Sequence, residues 1–179
     1  MYEIHKEFHW SMGHRISRHG GKCYAPHGHE YLCRVWLKSS TLDDEEMVMD
    51  YYKLTQIVNP IVDALDHAFM VYTEDKLMAW FFNSVNGSVT EGSGELSVEH
   101  HGEKHTFRMP LEDLPKPFKI ILVPWESTAE NIARYIFEQV QVHAPNVSKV
   151  EVWETRKCCA IYTPSPGFSQ ASPSMKISD

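Results

Sequence analysis

A chain of 179 residues, 42% hydrophobic and 23% charged, is long enough to bury one sizeable core and too short for two, so a single domain is expected. Its formal net charge of -7 offers no basic footprint for nucleic acid or an anionic membrane, and no apolar run approaches the roughly 20 residues of a transmembrane helix. The first residues alternate polar and apolar at once, unlike a signal peptide, and of the four cysteines Cys158 and Cys159 are neighbours while Cys33 falls in an apolar strand pattern, so a reduced, cytoplasmic setting is expected.

Tyr2, Ile4, Phe8 and Trp10 alternate with Glu3, Glu7 and His9, which predicts a half-buried strand ending near His14. The run Cys23-Tyr-Ala-Pro-His27-Gly-His29 follows. From His29 onward Tyr31, Cys33, Val35 and Leu37 share one face of a second strand, so the histidine sits at the end of an apolar stripe. After the polar connection Thr41 to Glu46, Leu54, Ile57, Val58, Ile61 and Leu65 have helical spacing from about Tyr51 to Leu65, and Pro60 predicts a kink or break.

Residues 73–117 form an unusual middle. It reads as a short helix at Asp75 to Phe82, a polar Gly/Ser/Asn stretch, a hairpin with Leu96 to Glu99 facing His105 to Arg108, and a linker-like return. Phe118 to Val123 predicts a strand feeding a second helix, which opens on a capping-box pattern, Ser127 with Glu130, and carries Ala129, Ile132, Ala133, Ile136 and Val140 on one face. Lys149 to Thr155 and Cys158 to Tyr162 have hairpin spacing. The Pro/Ser-rich tail at 164–179 is expected to be extended or disordered, leaving one α+β domain over 1–163 with an insertion at about 73–117.

His27 and His29, at i and i+2 of an extended chain, present two imidazoles to one face while Gly28 lets the backbone approach closely, and His14 would supply a third nitrogen. Zinc on three neutral imidazoles keeps an open fourth position, the catalytic arrangement. The alternative is three unrelated histidines in a chain that holds 11, as fits the polar context of His100, His101 and His105.

Cys23 is either a fourth ligand or a thiolate base beside an electropositive centre, with Arg15, Arg18 and Lys22 nearby in sequence. Asp66 and His67 read equally as an acid/base pair or as capping and packing residues. If Val150 and Val152 face the core, Glu154 points inward too and can accept two N–H bonds from a planar heterocycle; the opposite register puts Trp153 inward and Glu154 in water. The basic segment Arg15 to Lys22 either screens a phosphate chain or is a solvated loop.

Taken in order, Phe8-His-Trp-Ser-Met-Gly-His14-Arg, Cys23-x-x-x-His27-Gly-His29, Met47-Val-Met-Asp50-Tyr, Leu65-Asp66-His67, Ser127-Thr128-Ala-Glu130-Asn131 and Glu154-Thr155 resemble the family of 6-pyruvoyl- and 6-carboxy-tetrahydropterin synthases. The resemblance covers about residues 2–72 and 118–163. It implies the tunnelling fold: an antiparallel four-stranded sheet with two helices on one face, trimerised into a barrel and usually doubled to a hexamer with active sites between subunits.

The resemblance also implies Zn2+ on His14, His27 and His29, Cys23 as proton acceptor, Asp66 and His67 as charge-relay and proton-donating partners, and Glu154 as pterin anchor with Thr128 beside it. The implied substrate is 7,8-dihydroneopterin triphosphate, deprotonated by Cys23 and losing triphosphate by elimination. The offset of Cys23 from His27, Asp50 and the ending Thr155-Arg-Lys-Cys-Cys-Ala-Ile-Tyr162 resemble the 6-carboxy branch. That branch releases acetaldehyde and serves queuosine and 7-deazaguanine formation. The 6-pyruvoyl reaction is the alternative, and a non-catalytic pterin-binding module a third reading. Met12-Gly13 departs from the usual pair of small residues, and the 73–117 insertion from compact members, where it would act as a lid, add an intersubunit contact or alter substrate choice.

Overall fold

The computed structural model describes residues 1–78 and 119–165 in full and, as backbone alone, the strands Glu95–His100, Glu103–Arg108 and Lys176–Ser178. Two long strands, β1 (Tyr2–His14) and β2 (His27–Ser39), pair antiparallel along their whole length, from Tyr2 opposite Ser39 to His14 opposite His27. Between them Lys22–Tyr24 forms a 3-10 turn. Helix α1 (Tyr51–Leu65) begins at Asp50, whose carboxylate accepts from the Tyr52 N–H at 2.7 Å. It runs through Pro60 unbroken: Pro60 and Gln56, the residue whose carbonyl loses its N–H partner, are both on the exposed side, where water can serve that carbonyl.

Helix α1 delivers the chain to β3 (Ala68–Tyr72); β4 (Glu95–His100) and β5 (Glu103–Arg108) form a separate hairpin in the expected place, with Val98 opposite His105. β6 (Ile120–Val123) leads to α2 (Ala129–His143), then to β7 (Val147–Thr155) and β8 (Cys158–Tyr162), and β9 (Lys176–Ser178) lies in the tail. Of the helix expected at Asp75 to Phe82, residues 76–78 are helical and 79–82 lie outside the described residues, as do 166–175 of the tail.

The four expected antiparallel strands are present as β8-β7-β2-β1, but they are only part of the sheet. β3 and β6 continue it in parallel and β9 closes it antiparallel, giving the seven-stranded order β8-β7-β2-β1-β3-β6-β9. The expectation of a purely antiparallel four-stranded sheet is therefore corrected to a mixed, larger one. The physical cause is the crossover through α1, which returns the chain to the free edge of β1 in the same direction as β1.

Both helices pack on one face of the sheet. Phe8, Trp10 and Met12 of β1, Tyr31 to Leu37 at odd positions of β2, and Val150 and Val152 of β7 join Leu54, Val58 and Leu65 of α1 and Ile132, Ile136 and Val140 of α2 in one core cluster. Helix α2 starts one residue later than the capping-box pattern predicts: Thr128 is the N-cap, accepting from the Asn131 N–H, and Ser127 is diverted elsewhere. Among the described residues no helix is long and apolar enough to cross a membrane.

Ile136 is wholly buried between α2 and the sheet. Ile136→Ala is expected to cost about 2–5 kcal/mol of stability, seen as a lower urea midpoint at unchanged denaturant slope.

Candidate metal and proton-transfer site

The end of the β1–β2 pair carries the three histidines. His14 lies opposite His27 and Met12 opposite His29, and period-two alternation sends all three imidazoles to the helix-covered face. Their ring centroids stand 4.5, 5.3 and 5.0 Å apart, and one ligand nitrogen from each lies within 4.8 Å of the others.

Backbone carbonyls set the tautomers. His14 Nδ1–H donates to the Ser127 carbonyl at 2.7 Å, and His27 Nδ1–H to the Ala25 carbonyl at 2.8 Å; a carbonyl only accepts, so the lone pair of each ring is on Nε2. His27 Nε2 is buried with no hydrogen-bond partner among the described residues. Burial pulls His14 down to about 4, against the opposing Ser127 bond, and burial followed by the neighbouring His27 lowers His29. Three imidazoles whose ring nitrogens converge at the end of a strand pair are the donor set of a divalent transition metal. Cys23 is half-buried on the Lys22–Tyr24 turn and does not join this group of ligand atoms, so the fourth-ligand reading finds no support in the geometry.

Gly28 and Gly13 face each other across the strands, and each meets a tight neighbour. A Cβ on Gly28 would stand 3.0 Å from the Met12 carbonyl oxygen, and one on Gly13 would stand 2.6 Å from the Phe69 ring. The unusual Met12-Gly13 pair thus has a local reason: the β3 aromatic occupies the space beside the strand that a side chain at Gly13 would need.

Glu154 takes the inward register, on the face of Val150 and Val152. Its Oε1 is buried without a hydrogen-bond partner among the described residues, and burial, then the Glu130 charge, raises the carboxyl above its usual range while His27 opposes. Two residues not assigned a role in the site from sequence belong to it. Ser127 holds His14 through its carbonyl and donates its hydroxyl to the Arg15 carbonyl at 3.1 Å. The buried Tyr31 hydroxyl stands 3.3 Å from His14 Nε2, its ring stacked on Trp10, and burial and Glu154 keep it protonated. Tyr31 was visible as the next same-face residue after His29, and Ser127 as a cap-like residue of the Ser127-Thr128-Ala-Glu130-Asn131 motif. Thr128, as N-cap, has its hydroxyl engaged with Asn131.

Asp66 and His67 do not diverge. His67 has φ 56°, left-handed and rare for a residue with a side chain, and this turn folds its ring back so that Nδ1 meets Asp66 Oδ2 at 2.8 Å. Asp66 Oδ1 accepts from the Ser11 N–H at 2.8 Å, and His67 N–H donates to the Ser11 carbonyl at 2.7 Å. The Ser11 bond first, and the His67 bond after it, holds the Asp66 carboxyl below its usual range. His67, 82% exposed, opens with His27, His29, Gly13 and Phe69 on a cleft of about 580 Å³, whose lining does not include Cys23 or Glu154.

The basic segment is largely spoken for. Arg15 forms a buried ion pair with Asp75, and the exposed Arg18 reaches Glu74 and Glu126, so two of its three cations already face carboxylates and the phosphate-screening reading is weakened.

A family model described as 6-pyruvoyl tetrahydropterin synthase matches residues 3–165. The 6-carboxy-5,6,7,8-tetrahydropterin synthase of Haemophilus influenzae is 29% identical over 160 residues, covering 87% of this chain and 94% of that relative. In fold, the chain is similar to an uncharacterized protein from Wolinella succinogenes (TM-score 0.69, 24% identity, 92% of this chain and 98% of that one). It is also similar to the 6-pyruvoyl tetrahydropterin synthase of Caenorhabditis elegans (TM-score 0.58, 20% identity, 92% and 96%).

His27→Ala is expected to weaken divalent-metal binding by at least the roughly 10–100-fold that the loss of an outer-shell partner costs. The measurement is metal content by atomic emission together with the metal-dependent gain in Tm; an unaltered gain would remove His27 from the ligand set.

Proposed function

The chain belongs to the 6-pyruvoyl tetrahydropterin synthase family, and from that premise we propose that it converts 7,8-dihydroneopterin triphosphate and one water to 6-carboxy-5,6,7,8-tetrahydropterin, acetaldehyde and triphosphate, for 7-deazaguanine and queuosine formation in the cytoplasm. The observation that carries a catalytic reading is the convergence of the buried His14 with the half-buried His27 and His29, backbone carbonyls holding Nδ1–H of the first two so that their Nε2 lone pairs remain to bind. The 6-carboxy product is supported by the Haemophilus influenzae relative, most of whose length the chain spans.

His14, His27 and His29 would hold zinc, which when bound would supply a Lewis acid for the oxygens of the substrate side chain. The protein's residues do the rest. Glu154, inward and with Oε1 unpartnered, receives two parallel N–H donors of the pterin ring, which offset its desolvation and favour its ionised form. The Cys23 thiolate takes the proton from the side-chain carbon. His67, its Nδ1–H committed to Asp66, exchanges a proton through the outward Nε2 and returns it to the reduced ring.

Cys23 does not line the cleft on which His67 opens, and His67 is largely exposed. A homo-oligomer, a dimer of trimers, in which Asp66 and His67 of one subunit serve Cys23 of its neighbour reconciles those placements. Retention of the three-carbon side chain as a 6-pyruvoyl product is favoured by the description of the family alone.

Cys23→Ala is expected to abolish turnover with metal content unchanged, and the unaltered protein to yield acetaldehyde and a pterin of 6-carboxy mass; a product retaining all three side-chain carbons would overturn the assignment. Pterin affinity should fall as pH drops through the raised Glu154 pKa, because protonation removes the acceptor. This loss begins at a higher pH than an ordinary carboxylate would give. In Glu154→Gln that pH dependence should vanish and KM rise by about 10-fold or more, measured by steady-state kinetics across the acidic range.

A further inference from the structure

Three segments of the chain meet at one buried guanidinium. Arg15 directly follows the ligand His14, and its Nε lies 2.6 Å from Asp75 Oδ2 with both side chains 4% exposed. Its Cζ stands 4.3 Å from the centroid of the Tyr24 ring, the residue after Cys23. Its carbonyl accepts from the Ser127 hydroxyl, so the same residue is pinned to the segment that holds His14.

The turn that carries Cys23 contributes no buried residue of its own. Its backbone ties are the Ile16 N–H to the Cys23 carbonyl at 2.9 Å, and two bonds at 3.1 Å, from the Tyr24 N–H to the Gly21 carbonyl and from the Ala25 N–H to the Lys22 carbonyl. The last two are local and travel with the turn. The face of Tyr24 laid on Arg15 is therefore a side-chain tie that relates the turn to the end of β1.

Asp75 divides its carboxylate. Oδ2 receives Arg15, while Oδ1 accepts from the N–H groups of Leu77 and Met78 at 3.2 Å, capping the first helical turn beyond Tyr72. The start of the 73–117 insertion is thereby joined through one carboxylate and one guanidinium to the ring beside Cys23.

We propose that the Arg15–Asp75 pair is the positioning device for Cys23: Asp75 fixes the guanidinium plane, the plane fixes Tyr24, and Tyr24 fixes the turn that presents the thiol. Arg15, Tyr24 and Asp75 are then positioning residues of the reaction. This rests on Cys23 being the base. An ion pair buried merely for stability would hold Asp75 and β1 together without any bearing on the thiol.

The test uses the full chain loaded with Zn2+. The alkylation rate of Cys23 by iodoacetamide is read by peptide mass and compared with kcat, KM, zinc content and Tm. Asp75→Asn and Tyr24→Leu are each expected to change the alkylation rate and to lower kcat about 10- to 100-fold, the cost of a misplacement near 1 Å. KM should stay within about twofold and zinc content unchanged.

The double variant should be no worse than the more affected single one, because both changes disable the same device. Tyr24→Phe, which keeps the ring, should behave as the unaltered protein. Since Tyr24 is 51% exposed, its variants carry the test if Asp75→Asn fails to fold. The proposal falls if Tyr24→Leu leaves alkylation and kcat unchanged, or if the two substitutions multiply as independent effects. Should Cys23→Ala retain turnover, the base assignment fails, and the alkylation rates still decide whether the pair positions the thiol.

Discussion

The hydrogen bond from His14 Nδ1 to the Ser127 carbonyl joins two residues 113 positions apart, and the rest of the site hangs on it. It ties the end of β1 to the residue before the N-cap of α2. It fixes the tautomer of a fully buried imidazole, and so turns Nε2 toward His27 and His29. Burial keeps that ring uncharged, which a ligand must be. Without the carbonyl, a wholly buried histidine would leave an unpaired N–H in the core, at a cost of about 1–3 kcal/mol.

The parallel extension of the sheet builds the other wall. For β3 to leave α1 and lie beside β1, the chain must reverse at Asp66-His67, and the left-handed backbone at His67 does this. The same reversal brings the His67 ring onto the Asp66 carboxylate and places both against the Ser11 backbone of β1. It also seats Phe69 over Gly13, so the absence of a side chain at that position is a requirement of the strand pairing. One turn thus produces the dyad, the sheet extension and the mouth of the cleft.

Alternation made much of this legible from residues alone. The stripes of β1 and β2 and the shared face of His27 and His29 follow from period two, because a strand's neighbours impose no choice beyond which face is buried, whereas the inward register of Glu154, beside a bulge of β7, was one of two that the residues allowed. Long-range choices were not legible. Ser127 and Thr128 are both competent caps, and only the distant Arg15 carbonyl, which takes the Ser127 hydroxyl, decides that Ser127 is diverted and Thr128 caps the helix. Five residues, Ala68 to Tyr72, are too few to display a period, and the two-residue junction with α1 hides their strand character. The pairing of β9 with β6 was hidden for a similar reason, since Lys176–Ser178 is three residues in a Ser/Pro-rich tail. The Asp66–His67 contact depends on a positive φ at a non-glycine residue, which no pattern of residue types announces.

The site also separates two carboxylates by environment. Asp66 accepts a backbone N–H and a histidine N–H, and its carboxyl is held low; it stays ionised and orients His67. Glu154 has its Oε1 buried with no hydrogen-bond partner among the described residues, lies near the Glu130 charge and is raised. An acid with its donors already in place has a structural task completed on folding. An acid buried without them is destabilised until a partner brings N–H groups, so its desolvation favours a ligand whose donors match both oxygens over one that offers none. The opposite shifts of Asp66 and Glu154 are what the proposed proton transfer through His67 and the proposed recognition of a pterin by Glu154 call for.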